Sequence, residues 1–254
     1  MLLAIDVGNT QSVLGLFEEG RLAVSWRVSS NPALTGDELR AKTSGLLALS
    51  GFSWADVTDA ILSSVVPRLT YSWADAVKEG AGCSALVVGP GLKTGMPIRY
   101  GNPHEVGADR IANGVAAYEA FGGPVVVVDF GTATILDVVS VDGAYLGGVI
   151  APGLETSAEA LFSKAARLSK VDISPPAHAI GTNTRESIQA GLVLGEAERV
   201  DGLVRRIQAE LGCDATVVAT GGLASVLAPL CETVGHTDMD LTLKGLCLVR
   251  ERNR

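Results

Sequence analysis

Two short stretches of the chain carry residue types suited to holding phosphate. Asp6-Val7-Gly8-Asn9-Thr10 sets a carboxylate, a glycine and two side-chain donors within five residues, and Asp129-Phe130-Gly131-Thr132 repeats the pattern. Glycine lets backbone approach a ligand, turn N–H groups and the Asn and Thr side chains donate to oxygens, and a carboxylate at a strand end can hold a hydrated cation. A single turn of this kind is ordinary, because Asp, Asn and Gly all favour turns. Two at equivalent places would clamp a polyphosphate between them. The better-known phosphate loops are missing. Gly89-Pro90-Gly91-Leu92-Lys93-Thr94 has Leu where a Walker loop needs Gly before Lys, and Thr94 where the dinucleotide fingerprint ends in Gly.

A third stretch, Tyr100-Gly101-Asn102-Pro103-His104-Glu105-Val106-Gly107-Ala108-Asp109-Arg110, precedes a helical pattern. Asp109 has two readings. It is a natural N-cap for that helix, and it is also placed to take a hydroxyl proton as the oxygen attacks phosphorus. Arg110 beside it has the planar fork that pairs an acidic group bidentately.

The elements that must position these residues follow from periodicity. Residues 2–6, 12–17 and 22–28 alternate as short β-rich runs around a turn at 18–20, which predicts an antiparallel meander. A helix opens near Thr35–Asp37, a strand covers 60–66, Pro67 starts a helix running to about Gly80, and a short strand covers 85–88. Residues 89–105 read as loop, and a helix begins at Asp109. The second half then repeats the opening. Laying Asp6 on Asp129, an offset of 123 residues, matches apolar strand, Asp-x-Gly turn and apolar strand in both copies, with a third strand at 143–150. Chance similarity of two hairpins is the alternative; an internal duplication is the simpler account. Helices at 155–166 and 184–211, a Pro-containing loop at 174–177, a strand at 215–219, a Gly221-Gly222 turn and a helix from about Leu241 complete the reading. The implied domains are 1–121 and 122–254.

Composition narrows the function class. The 20 Lys and Arg against 28 Asp and Glu give a net charge of −8, which argues against a basic nucleic-acid binder. Hydrophobic residues at 47% and charged residues at 19% are a globular balance. Glycine is in excess, 30 of 254 residues, where roughly 7% is usual. Apolar runs are too short to span a bilayer, and Met1 to Asp6 lacks the features of a signal peptide, so the reading is a cytoplasmic protein without membrane partners. Cys83, Cys213, Cys231 and Cys247 are scattered, without zinc spacing, and read as reduced thiols. His104, His178 and His236 are equally dispersed and read as ordinary solvated or hydrogen-bonded side chains.

These motifs together resemble type III pantothenate kinase. The resemblance rests on Asp6-Val-Gly-Asn-Thr10, the run from Tyr100 through Gly107-Ala-Asp-Arg110 to Ile-Ala-Asn-Gly114, Val128-Asp-Phe-Gly-Thr-Ala-Thr134, Gly147-Gly-Val-Ile-Ala-Pro-Gly153, Ile180-Gly-Thr-Asn-Thr184 and Thr220-Gly-Gly222. It implies an α/β fold of two ribonuclease H-like domains, the actin-like ATPase fold of the acetate and sugar kinases, with the active site in the interdomain cleft. It implies an enzyme that phosphorylates pantothenate with ATP and Mg2+ in the first step of coenzyme A biosynthesis. By resemblance, Asp6, Val7, Gly8, Asn9, Thr10, Gln11, Ser12 and Val13 form the first ATP loop, and Thr132 contacts the nucleotide from the second turn. Asp129 holds a monovalent cation, K+ or NH4+. Tyr100, Gly107, Ala108, Asp109 and Arg110 bind pantothenate, Asp109 accepts its hydroxyl proton, and Thr184 completes that site in a homodimer. Ile135 departs from the family, where a second Thr is usual after Thr134, and Gln11 replaces a more common polar residue. Two other readings are a non-catalytic regulatory relative and a different small-molecule kinase or polyphosphate hydrolase. The intact Gly-Ala-Asp-Arg run argues against the first, and Arg110 favours an acidic acceptor.

Overall fold

The computed structural model describes residues 1–165 and 170–254. The chain divides into two compact units, Met1–Glu119 with Asp240–Arg254, and Ala120–Met239.

The first unit opens with the predicted meander, β1 (Leu2–Val7), β2 (Gln11–Glu18) and β3 (Arg21–Ser29). Then come α1 (Gly36–Leu49), β4 (Asp59–Ser64), α2 (Pro67–Ala81), β5 (Leu86–Val87) and α3 (Ala108–Phe121). Thr35 caps α1 through a capping box: its hydroxyl accepts from Glu38 N–H at 3.3 Å, and the Glu38 carboxylate accepts from Thr35 N–H at 2.9 Å. Pro67 occupies the first turn of α2, where its missing N–H costs nothing. The sheet order is β3-β2-β1-β4-β5, with β4 and β5 added in parallel. Alternation sets the two faces of β1. Leu3, Ile5 and Val7 join Leu14, Leu16, Leu62, Leu69 and Trp73 in one apolar cluster. Each such side chain contributes roughly 1.5–3 kcal/mol on burial. Asp6, between Ile5 and Val7, therefore lies on the opposite face.

The second unit contains β6 (Val125–Phe130), β7 (Ala133–Val139), β8 (Tyr145–Pro152), α4 (Leu154–Lys164), α5 (Thr184–Gln189), α6 (Gly195–Leu211), β9 (Thr216–Thr220), α7 (Ala224–Leu227) and β10 (His236–Thr237). The expected helix 155–166 matches α4 up to Lys164; Ala166 lies outside the described residues. The stretch expected as one helix over 184–211 is α5 and α6 joined by a π-helical turn, Ala190–Leu194. The sheet order, β8-β7-β6-β9-β10, is the order of the first unit with β6–β8 in place of β1–β3. The registers agree as well. Asp6 pairs with Val13 and with Ser63; Asp129 pairs with Ile135 and with Thr220. The second hairpin is one residue tighter, three residues between its last pair where the first has four.

The last helix, α8 (Leu241–Glu251), is grouped with the first unit, whereas the sequence reading assigned the whole of 122–254 to the second domain. It packs on β1, β2 and β4. Gly245 sits so close to the Ala112 backbone of α3 that a Cβ there would overlap its carbonyl, and Thr242 Oγ1 lies 2.7 Å from Asn113 Oδ1. An apolar helical pattern shows that a helix is buried and is silent on which sheet it covers.

Candidate active site

The first turn is shaped by its backbone. Gly8 N–H donates to the Gln11 carbonyl at 3.0 Å, and a Cβ on Gly8 would come within 2.9 Å of that same oxygen. Ser30 N–H donates to the Thr10 carbonyl at 2.9 Å and ties the turn to the end of β3. Asn9, Thr10 and Gln11 are exposed, so their side chains are open to a ligand. Two of the eight residues predicted for this loop point elsewhere. Val7 is in the apolar cluster, and Ser12 is buried with its hydroxyl 2.8 Å from that of Ser30. Only their backbone is placed to serve the turn.

The entrance to α3 is built by short-range bonds. Asn102 Oδ1 accepts from His104 N–H at 3.2 Å and Asn102 Nδ2 donates to Glu105 at 2.9 Å, folding residues 103–105 into a single 3-10 turn. Val106 then anchors in the interior, and the Gly107 carbonyl accepts the first helical bond, from Ile111. Asp109 is thus in the first turn of α3 rather than its N-cap, which corrects the structural reading of that residue. Its Oδ1 accepts from Arg110 N–H at 2.8 Å, and a carboxylate here is favoured by the helix dipole. A Cβ on Gly107 would overlap Asp109 Oδ1, so glycine supplies room for the carboxylate. Arg110 is 7% exposed, and Tyr100, at 37%, stands at the head of the loop.

In the second unit, Asp129 is the penultimate residue of β6, paired with Thr220 at the end of β9. Gly221, at φ +92°, follows directly, and a Cβ there would overlap Asp129 Oδ1 and fall 2.7 Å from both Phe130 N and O. The carboxylate therefore rests in a cradle of backbone. Among the described residues no three His, Cys, Asp or Glu side chains cluster as a metal site. Asp129 itself offers one carboxylate, an oxygen donor of the kind that hard cations take. The adjoining turn is clamped. Gly131 N–H donates to Ala133 O at 3.0 Å, while the Thr132 carbonyl accepts from Gly153 N–H at 3.0 Å and from Thr156 Oγ1 at 2.7 Å. The Thr132 side chain remains exposed.

Thr184 begins α5, capped by Asn183, whose Oδ1 accepts from Glu186 N–H at 3.0 Å. Bonds from the N–H and hydroxyl of Thr182 hold the Glu186 carboxyl below its usual range. Thr184 lines a groove of about 680 Å³ with Ser157, Leu161, Thr182, Asn183 and Ser187.

The predicted site residues thus fall into two groups: Asp6 to Val13, Tyr100 and Gly107 to Arg110 in the first unit, and Asp129, Thr132 and Thr184 in the second. The sequence reading set Gly153 and Gly221 among glycines serving turns and ligand approach, without tying them to Thr132 or Asp129. It missed Thr156 and the side chains beneath the second turn, because a polar residue in a helical pattern reads as solvent-facing.

The model of the family described as type III pantothenate kinase matches residues 2–206. A type III pantothenate kinase of Moorella thermoacetica is 49% identical over 253 residues, and one of Syntrophotalea carbinolica is 48% identical over 254, each pairing covering 100% of both chains. Among solved structures, a Campylobacter jejuni protein described as a Baf family transcriptional activator is similar at a TM-score of 0.63 and 20% identity, covering 99% of this chain and 98% of that one. The activator of 2-hydroxyisocaproyl-CoA dehydratase from Clostridium difficile, solved with bound ADPNP, is similar at 0.59 and 18%, covering 99% and 95%. At these identities the structures speak for the fold alone, the two-unit architecture of the actin-like ATPases. The family match, full-length identity near one half and the preserved turns and Gly-Ala-Asp-Arg run agree: the chain belongs to the type III pantothenate kinase family.

Proposed function

We propose that this chain transfers the γ-phosphoryl group of ATP to the 4′-hydroxyl of pantothenate, with Asp109 as general base. The observation that carries the reading is the α3 entrance. The Asp109 carboxylate is held at the helix start by Arg110 N–H, with room made by Gly107, beside a buried Arg110 whose charge suits the pantothenate carboxylate. With Oδ1 engaged, Oδ2 is the oxygen that takes the proton. The hydroxyl oxygen forms its bond to Pγ as the bond from Pγ to the β-bridging oxygen breaks, ADP leaves, and the proton stays on Asp109 until solvent collects it. Asn9, Thr10, Gln11 and Thr132, with the turn N–H groups, hold the nucleotide oxygens. Asp129 in its Gly221 cradle would hold a monovalent cation, K+ or NH4+, which when bound neutralises phosphate charge next to the second turn. Tyr100 and Thr184 complete the pantothenate site. In this reading the enzyme works in the cytoplasm as a homodimer; the groove at Thr184 and the neighbouring Ile180, 84% exposed, support the pairing of two copies.

The test is an ADP-release assay with ATP, Mg2+, K+ and pantothenate. Pantothenate-stimulated release is expected, and its absence from the wild type overturns the function. Asp109→Asn is expected to lower kcat by about 10²–10⁴-fold; ordinary turnover would remove Asp109 as the base. Asp129→Ala is expected to abolish stimulation by K+, and a wild type indifferent to K+ removes the cation role.

A further inference from the structure

Beneath the second turn lies a charged assembly that the reaction described above does not use. Glu196 of α6 is 4% exposed and sits among Val193, Ala197 and Val200, which belong to the apolar cluster between α6 and the sheet. Its Oε1 accepts from Thr134 Oγ1 at 2.6 Å, and its Oε2 is paired with Arg199 Nη2. The same Arg199 nitrogen donates to the Pro152 carbonyl at 2.7 Å. Thr134 is the first residue of β7 to pair across the hairpin after Thr132, and Pro152 is the last residue of β8, opposite Ala133. Gly153 follows Pro152 and donates to the Thr132 carbonyl. One carboxylate therefore grips both strands where the Thr132 turn leaves the sheet.

Stability alone does not account for this arrangement. The Glu196 carboxylate, buried beside an apolar cluster, loses hydration that its attraction to the partly exposed Arg199 repays only in part, and an apolar residue of like volume at 196 would serve stability about as well. Directional bonds do what apolar packing does not: they fix the height and tilt of the strand ends. The first hairpin shows the contrast. Ser12, at the place equivalent to Thr134, has its hydroxyl 2.8 Å from the neutral Ser30 hydroxyl.

We infer that Glu196 is a positioning residue for the nucleotide, acting through Thr134 on one side and through Arg199, Pro152 and Gly153 on the other to hold the Thr132 turn in its phosphate-binding shape. The inference rests on the role proposed above for Thr132. It assigns Glu196 a specific signature: loss of the brace weakens ATP, leaves pantothenate untouched and loosens the Gly153 N–H.

The experiment compares Glu196→Gln, Thr134→Val and Thr134→Ser with the wild type. Hydrogen exchange of the peptide containing Gly153 is followed without ligand, and KM for ATP and for pantothenate are measured under saturating partner substrate. Glu196→Gln and Thr134→Val are expected to exchange at Gly153 about 10-fold faster and to raise KM for ATP about 10-fold, with KM for pantothenate within 2-fold; Thr134→Ser keeps wild-type values. Unchanged exchange at Gly153 overturns the brace whatever the activity. Faster exchange with unaltered KM for ATP, or equal rises in both KM values, overturns the positioning role. Failure of the kinase reading shows separately, as a wild type without pantothenate-stimulated ADP release, and the inference falls with it. If Glu196→Gln does not fold, the two Thr134 variants decide.

Discussion

One added methyl at Gly107 would press on the carboxylate that matters most to the proposed chemistry, through the oxygen that Arg110 N–H holds. The backbone there does not require glycine's conformational freedom; the conflict is with Asp109 Oδ1, the far end of a side chain that can swing aside. Gly107→Ala is therefore expected to leave the melting temperature within about 2 °C and to lower kcat by about 10–100-fold, the scale on which a displaced catalytic group costs rate. Steady-state kinetics beside a melting curve check this, and a kcat near wild type would show that Asp109 is not positioned by the room at residue 107. The same scale explains a limit of reading residues in order. Asp before a helical pattern is both a capping and a catalytic signal, and the helix starting at Ala108 removes the capping reading alone. Ser12 and Val7 were legible as loop members, yet only packing revealed that their side chains face inward.

Secondary structure was the most legible scale, because caps and alternation are local. The Thr35 capping box, Pro67 and the glycine turns set element ends within a few residues of where they fall. Thr35→Ala removes a cap from a 14-residue helix and is expected to cost about 1 kcal/mol, read as a lower urea midpoint with an unchanged slope. No change in midpoint would mean that α1 draws its stability from packing on α2 alone. The π-helical turn at Ala190–Leu194 had no signal of this kind, since an inserted residue in a helix is a response to tertiary packing. Ile135, a departure from the family pattern, lies where a β-branched residue belongs: it pairs with Asp129 as Val13 pairs with Asp6.

At the scale of the molecule, a net charge of −8 works against the anionic substrates proposed here, so their binding depends on local donors such as Arg110 and the turn N–H groups. Charge also shapes stability toward acid. Asp201 is buried, which pushes its carboxyl up, but bonds from the Thr233 hydroxyl and from the N–H groups of Glu232 and Thr233 outweigh this and hold it below the usual range. A depressed carboxyl stabilises the fold above its unfolded value, about 3.9, and loses that contribution as pH falls through the folded value. Asp201→Asn is expected to cost on the order of 1–3 kcal/mol at pH 7, with the gap to wild type closing below about pH 4. A gap constant from pH 7 to 3 would remove Asp201 from the acid response. By itself the sequence determined the duplicated meander, the two Asp-x-Gly turns, the Gly-Ala-Asp-Arg run and the family, because strand alternation, turn chemistry and motif spacing are written within a few residues of each other. Tertiary structure alone decided that α8 covers β1, β2 and β4 and that Glu196 reaches Thr134 across 62 positions. Such pairings are selected by which buried surfaces and hydrogen-bonding groups satisfy one another across the fold, and no local pattern encodes them.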